Sequence, residues 1–166
     1  MISIAPATHD QVAEIQRVAG VIWRAHYPGI ITPAQIDYML ARGYAGDALD
    51  ALIDTPGRGL LVASDASGIV GLGAWYLAVD PVLAKLDKLY VLPSHQRLGV
   101  GRMLIEWVSD EARAAGAGTL ILNVNKRNVN AIAAYLKHGF AVREAVVNDI
   151  GNGFVMDDYV MAKPLR

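Results

Sequence analysis

Residues 89 to 102 of this 166-residue chain read Leu-Tyr-Val-Leu-Pro-Ser-His-Gln-Arg-Leu-Gly-Val-Gly-Arg. An apolar strand enters, a short turn follows Pro93, and a long helix begins near Gly99. The first amides of a helix lack internal partners, and the helix dipole favours a bound anion there. Gly99 and Gly101 leave room for phosphate oxygens beside the backbone, while Arg97 and Arg102 add positive charge. The segment therefore predicts a binding turn for a pyrophosphate.

Two common pyrophosphate sites do not match this turn. The dinucleotide fingerprint requires a third glycine where Leu104 stands, and an acidic residue about twenty positions on, where the chain has residues 121–123, Ile-Leu-Asn. A Walker A loop requires Gly-Lys followed by Ser or Thr, whereas Gly101 is followed by Arg102 and Met103. The pattern indicates neither of these nucleotide sites.

A second motif lies further along the chain. Residues 128 to 140 read Asn-Val-Asn-Ala-Ile-Ala-Ala-Tyr-Leu-Lys-His-Gly-Phe. This segment is similar to the Asn-x-x-Ala-x-x-x-Tyr-x-x-x-Gly-Phe segment of the GCN5-related N-acetyltransferases (GNAT). Residues 96 to 101, Gln-Arg-Leu-Gly-Val-Gly, match the Gln/Arg-x-x-Gly-x-Gly/Ala signature of the same family. Two motifs in the right order are a specific signal, and together the resemblance covers about residues 86 to 140.

The resemblance implies an acetyl-CoA-dependent N-acetyltransferase that moves an acetyl group directly onto a primary amine, with acetyl-CoA as cosubstrate and no metal. Amides of the turn would bind the CoA pyrophosphate, and the strand before it would pair with the pantetheine arm. An amide near Val91, in a strand that carries a bulge in this family, would polarise the thioester carbonyl. The cofactor-binding residues expected on this basis are Leu89, Tyr90, Val91, Gln96, Arg97, Leu98, Gly99, Val100, Gly101, Arg102 and Asn128.

Two of the expected site residues have structural alternatives. Tyr135 matches the tyrosine that protonates the departing CoA thiolate, but it can also be a core aromatic packed beside Phe140. Asn128 matches a CoA-contacting asparagine, but asparagine also caps helices well. The chain has no cysteine, so no thiol can act as a covalent relay.

The general base is not indicated clearly. Several family members carry a glutamate on the fifth strand where this chain has Asn123, which cannot take a proton at neutral pH. Asp87 is the expected substitute because its strand borders the cleft, although it can equally pair with Lys85 or Lys88 at the surface. His95 and a chain of water molecules are the remaining alternatives.

The acceptor is expected to approach from the N-terminal helices and the last hairpin. Candidate wall residues are aromatic, although at helical spacing such residues are more often core: Trp23, His26, Tyr27, Tyr38 and Tyr44. Residues 149 to 163 look like the end of the bacterial polyamine acetyltransferase branch. Asp157 and Asp158 could attract a cationic amine, but adjacent strand residues face opposite ways, so at most one points inward. A small molecule or polyamine is favoured over a protein N-terminus.

The remaining chain predicts one α+β domain over residues 1–166, an α/β sandwich whose mixed, mostly antiparallel sheet is flanked by helices. Thr8 with Gln11, and Thr32 with Pro33 and Gln35, are helix-start signals. Residues 60–63 and 69–79 form a predicted hairpin, residues 86–92 and 119–124 two further strands, and two last strands follow residue 140. Helices are expected over residues 99–115 and 128–138.

Composition narrows the function classes. Apolar residues form 54% of the chain and the formal charge is −1, so neither disorder nor a nucleic-acid partner is expected. No apolar run reaches the roughly 18 residues of a membrane span, and the start lacks a secretory signal, so a cytoplasmic location is expected. The four histidines are scattered, which argues against a metal site. The chain alone leaves monomer and homodimer open.

Two alternative functions stay open. A non-catalytic acyl-CoA-binding or regulatory module on the same fold is motivated by Asn123 at the position of the base, while Tyr135 argues against it. A nucleotide-binding protein is the third hypothesis, and competition by ATP or NAD but not CoA would favour it.

Overall fold

The computed structural model describes residues 1–166, and one seven-stranded sheet runs through it in the order β1-β2-β3-β4-β5-β7-β6. The seven strands are β1 (Ser3–Pro6), β2 (Arg58–Asp65), β3 (Gly68–Leu77), β4 (Leu83–Val91), β5 (Thr119–Asn125), β6 (Ala141–Gly151) and β7 (Phe154–Pro164). All neighbouring pairs are antiparallel except β4 and β5, which are parallel. The prediction of a mixed, mostly antiparallel sheet is confirmed.

Five helices flank this sheet: α1 (Val12–His26), α2 (Pro33–Gly43), α3 (Gly46–Asp54), α4 (Val100–Ala114) and α5 (Val129–Lys137). The Thr8–Gln11 capping box is present, but it opens a single 3-10 turn at His9–Gln11 that leads into α1. At the start of α2 the Gln35 amide donates to Thr32 Oγ1 at 3.2 Å, as the sequence predicted. The helix-start signals therefore predicted the first residue of each helix to within one helical turn.

The helices form a layer on each face of the sheet. The α1, α2 and α3 helices cover one face around Ile15 and Leu49, and α4 with α5 covers the other around Leu104 and Val108. The α4 helix packs on β3 beside glycines at 71 and 73. A Cβ at either position would lie 3.5 or 3.6 Å from the Leu104 methyl groups. The turn at the start of α4 is thus held firmly over β3 and β4.

The one parallel pair is short. Pairing of β4 with β5 covers only Leu83–Lys85 and Thr119–Ile121, after which the two strands diverge. A register shift against β3 leaves Asp87 without a partner, so a bulge lies in β4 four residues before Val91. The strand begins at Leu83, three residues before the predicted Leu86. A gap therefore opens in the middle of the sheet.

The last hairpin, β6 with β7, is fastened to α2. Tyr38 Oη and Arg42 Nη1 both donate to the Ile150 carbonyl at 2.7 Å, and Gln35 Nε2 donates to the Val155 carbonyl at 3.1 Å. These bonds join residues more than a hundred positions apart and hold the end of the hairpin against α2. No helix in the structure is long and apolar enough to cross a membrane.

Candidate active site

The turn before α4 exposes a run of free backbone amides. None of the amides from Arg97 to Arg102 donates to a backbone carbonyl, and the first bond of the helix runs from the Met103 amide to the Gly99 carbonyl. Arg97 and Gly99 have positive φ angles of 63° and 81°, a backbone form that turns successive amides toward one point. The geometry matches an anion site of at least two phosphate groups.

The space in front of these amides is open. A Cβ added at Gly99 or Gly101 would meet no atom within 4 Å, and the Leu98 side chain points to solvent. Arg102 is exposed and pairs with Glu106 at 2.9 Å on the next turn. A diphosphate can therefore reach the backbone, and this arrangement fits the pyrophosphate of CoA.

The end of β4 presents its backbone to the gap. The Leu92 amide donates to the Val70 carbonyl at 2.8 Å, and Val91 stands opposite Gly71. Because hydrogen-bonded and non-bonded pairs alternate along antiparallel strands, the Val91 and Leu89 backbone groups point away from β3. They face the gap left by β5, where an extended ligand could pair with them.

Tyr135 borders the same gap from α5. Its ring packs edge-on against Phe140 with centroids 5.5 Å apart, so it has the core contact that was the alternative to a catalytic role. Burial raises the pKa of its phenol well above the usual range, with a further contribution from Tyr27. The phenol therefore stays protonated at neutral pH and can donate a hydrogen bond.

Asn128 does not use its side chain to cap α5. It occupies the N-cap position with no capping bond, and its Oδ1 lies 3.0 Å from His26 Nε2 at the end of α1. The interpretation as a plain side-chain cap is therefore wrong. With Oδ1 engaged by His26, the Asn128 amide nitrogen is left as a donor toward a ligand.

An aromatic cluster closes the gap on the side of α1. Trp23, Tyr27 and Tyr44 are buried, so they are core residues rather than open pocket walls. Tyr27 Oη lies 3.0 Å from Tyr90 Oη on β4, and burial raises the pKa of both phenols. The Tyr38 hydroxyl donates a hydrogen bond to the Ile150 carbonyl. Of the five expected wall residues, His26 and Tyr27 are the two whose polar atoms lie within hydrogen-bond distance of residues predicted to bind CoA.

Comparison with known proteins identifies the chain. A model of the acetyltransferase (GNAT) family matches residues 22–140. The chain belongs to the GNAT family. As a member it is an acetyltransferase whose cosubstrate is acetyl-CoA, and the turn, the divergent strands and Tyr135 described above lie within the matched region.

Individual relatives agree with this assignment. The GNAT chain is 32% identical over 117 residues to the IAA acetyltransferase of Azospirillum brasilense, covering 70% of this chain and 71% of that protein. It is 28% identical over 152 residues to an uncharacterized N-acetyltransferase of Mycobacterium tuberculosis, covering 92% and 96%. The crystal structure of the PaiA N-acetyltransferase from Thermoplasma acidophilum in complex with coenzyme A superposes with a TM-score of 0.84 at 20% identity, covering 99% of both chains. That similarity shows the fold.

The two residues of this acetyltransferase that were expected as a general base, Asp87 and His95, both have side-chain partners. Asp87 lies in the bulge and pairs with Lys88 Nζ at 2.8 Å. Lys88 is itself buried and stands over the Tyr44 ring at 4.8 Å. His95 lies between two hydrogen-bond partners, with Nδ1 2.7 Å from Ser94 Oγ and Nε2 2.7 Å from Asp65 Oδ2. Hydrogen bonds from Ser67 and then from His95 lower the pKa of Asp65 to about 2. Both candidates are therefore committed to structural partners.

The structure separates the two acidic residues near the end of the GNAT chain. Asp157 is exposed and pairs with Lys126 at 2.7 Å, whereas Asp158 is 3% exposed. The alternation rule thus held, and Asp158 is the inward residue. The sequence analysis missed the His26–Asn128 bond and the Tyr27–Tyr90 bond, because each joins elements that only folding brings together. The structure groups no three His, Asp or Glu side chains that could hold a metal ion.

Proposed function

We propose that this GNAT enzyme transfers the acetyl group of acetyl-CoA directly onto a primary amine, with a small molecule or polyamine favoured over a protein N-terminus as acceptor. The observation that carries the proposal is the run of unpaired amides from Arg97 to Arg102 beside a strand edge that opens into the sheet gap. A diphosphate would fit the unpaired amides, and the extended arm attached to it would fit the strand edge.

Several groups would hold the CoA arm. The amides of the turn would bind the diphosphate, with Gln96 and Arg97 at its start, and the backbone of Leu89 and Val91 would pair with the pantetheine amides. The Asn128 amide nitrogen, oriented by His26, would add a donor from the opposite side of the gap. Bound acetyl-CoA supplies an activated thioester, and the chain supplies its position.

Two groups of the chain would act on the reacting atoms. The Val91 amide would donate a hydrogen bond to the oxygen that becomes negative as the amine attacks the carbonyl carbon. Tyr135 would donate its proton to the departing sulfur. Because the chain has no cysteine, the amine would attack the thioester itself while both substrates are bound.

The first experiment measures thiol release from acetyl-CoA by the purified enzyme with ethylamine, spermidine, kanamycin and an alanine-initiated peptide. Amine-dependent thiol release and an acetylated amine in the mass spectrum would support the proposal. Binding of CoA without turnover on any of these amines would instead favour the non-catalytic module. The observation in favour of that second function is Asn123, an amide at the position where the family resemblance leads us to expect a glutamate.

Tyr135→Phe is expected to lower kcat by about 100-fold, because the variant cannot protonate the departing thiolate. The affinity for CoA should be unchanged, since the ring and its packing on Phe140 are preserved. Steady-state kinetics and isothermal titration with CoA measure the two quantities. Tyr76→Phe, at the far end of β3, is the matched control. Unchanged kcat in Tyr135→Phe would remove the assigned role.

A further inference from the structure

Asp158 stands on β7 opposite Asn125, two residues from the Asn123–Val160 pair of the same register. These residues line the sheet face turned away from the α4 core, to which Leu122 and Val124 of β5 contribute. The Asp158 side chain is thus inside the molecule on the side of α1 and α2. This is the side from which the acceptor of the proposed reaction would approach.

One oxygen of the Asp158 carboxylate has no hydrogen-bond donor. Its Oδ1 atom is fully enclosed and has no hydrogen-bond partner, and its neighbour Asp157, not Asp158, holds the salt bridge with Lys126. A buried carboxylate oxygen without a donor is costly, and such groups are rare in folded proteins. Burial raises the pKa of Asp158, and a side-chain hydrogen bond from Asn123 to the carboxylate offsets part of the rise.

Charged and titratable groups from each neighbouring element act on Asp158. Tyr27 faces it from α1, and the Asp158 charge raises the pKa of that phenol. Lys85 of β4 and Lys126, which follows β5, favour the carboxylate form, while Asp157 opposes it. Tyr27 also bonds Tyr90 and raises the pKa of Tyr135. Asp158 and Tyr135 are therefore both within electrostatic reach of Tyr27.

We propose that Asp158 binds the ammonium group of the acceptor and takes its proton, and that the acceptor is consequently a cationic primary amine. This inference rests on the proposed transfer reaction and assigns the base that the Asn123 position lacks. An ammonium group would supply the hydrogen-bond donor that Oδ1 lacks, and its charge would strengthen that bond.

The step balances without a further reactant. The carboxylate takes one proton from the ammonium, and the neutral amine forms a C–N bond to the acetyl carbon. The C–S bond then breaks, the sulfur takes the Tyr135 proton, and the second proton lost from nitrogen restores the phenol. Asp158 afterwards releases its proton to solvent, so the products are an acetylated amine, a thiol and one proton.

Asp158→Asn is expected to lower kcat/KM by about 100-fold on any amine that the wild type acetylates, which is the range of a lost general base. The acid limb of the pH profile should disappear in the variant, because wild-type activity falls as the raised pKa of Asp158 is crossed from above. Asp157→Asn is the matched control and should keep wild-type kinetics. Should Asp158→Asn fail to bind CoA, Asp158→Ser takes its place.

A binding measurement decides the inference separately from the reaction. Each of the four amines is titrated into CoA-saturated wild type, Asp158→Asn and Asp157→Asn. Amine binding that is weaker by at least about tenfold in Asp158→Asn, but not in Asp157→Asn, supports the site. If no turnover is found in that case, only the transfer proposal is wrong. Equal binding to wild type and Asp158→Asn, or no binding of any amine, overturns the site. Turnover undiminished in Asp158→Asn also overturns it while leaving the transfer proposal standing.

A stability measurement gives a readout that needs no substrate. Because the pKa of Asp158 is raised in the folded state, its ionisation opposes folding at pH values above that pKa and has no effect once the group is protonated. Asp158→Asn should therefore have the higher Tm at pH 7, and the difference should shrink as the pH falls toward 4. A variant less stable than wild type at pH 7 would show that the carboxylate has an unrecognised structural partner and would overturn the site.

Discussion

Replacing Gly101 by glutamate is expected to weaken CoA binding by about 1,000-fold, equivalent to about 4.1 kcal/mol, while the fold stays intact. Gly101 is the second residue of α4, and the space beside it is empty for at least 4 Å. A glutamate side chain would occupy the place where a diphosphate must lie and would repel it. Like charges about 4 Å apart near a protein surface cost about 4 kcal/mol.

The same substitution should not destabilise the enzyme. Gly101 has an ordinary helical backbone, and an acidic side chain in the first turn of a helix interacts favourably with its dipole. Gly20→Glu is the matched control, because Gly20 lies inside α1 with the same empty surroundings and far along the chain from the turn. Isothermal titration with CoA and thermal denaturation measure the two properties. Binding by Gly101→Glu within about tenfold of wild type would contradict a diphosphate site at this turn.

Leu104→Ala is expected to lower the free energy of unfolding by about 3 to 4 kcal/mol and the Tm by about 10 °C. Leu104 is fully buried, and its methyl groups pack against the bare backbone of Gly71 and Gly73 on β3. With no side chains at these two positions, the neighbouring strand has nothing that can swing into the cavity. The cavity should therefore stay largely open, and the loss should exceed the lowest values seen for leucine truncations.

The adjacent residue provides the control for this prediction. Met103 lies on the same turn of α4 but is 36% exposed, so Met103→Ala should cost less than about 1 kcal/mol. Chemical denaturation of the two variants and the wild type compares them directly. Similar losses in both would mean that α4 is not packed on β3 through Leu104.

The local features of this acetyltransferase could be predicted from the sequence. The helix start at Gly99, the bond from the Gln35 amide to Thr32 and the hairpin between β2 and β3 each depend on neighbouring residues. Their determinants are backbone sterics and hydrogen bonds that reach at most a few positions along the chain. The predicted bounds of strands and helices were therefore close to the observed ones.

Side-chain partners across the fold could not be predicted in this way. Asn128 was expected either to cap its helix or to touch CoA, and its bond to His26 depends on where α1 ends relative to α5. The bond between Tyr27 and Tyr90 likewise depends on where the end of α1 lies relative to β4. Such pairings follow from the relative placement of elements, which local patterns do not encode. By contrast, the pairing of Asp87 with its chain neighbour Lys88 was one of the alternatives that the sequence offered.

The sequence by itself determined the family, the turn with its free amides and the order of strands and helices, because each is written in spacings of glycine, apolar and capping residues. Only the tertiary structure decided which acidic residue of the last strand faces inward. Alternation requires Asp157 and Asp158 to face opposite ways, but the face that becomes the interior depends on which helices pack against it. Packing against α1 and α2 encloses Asp158 beside Tyr27 and leaves Asp157 in solvent.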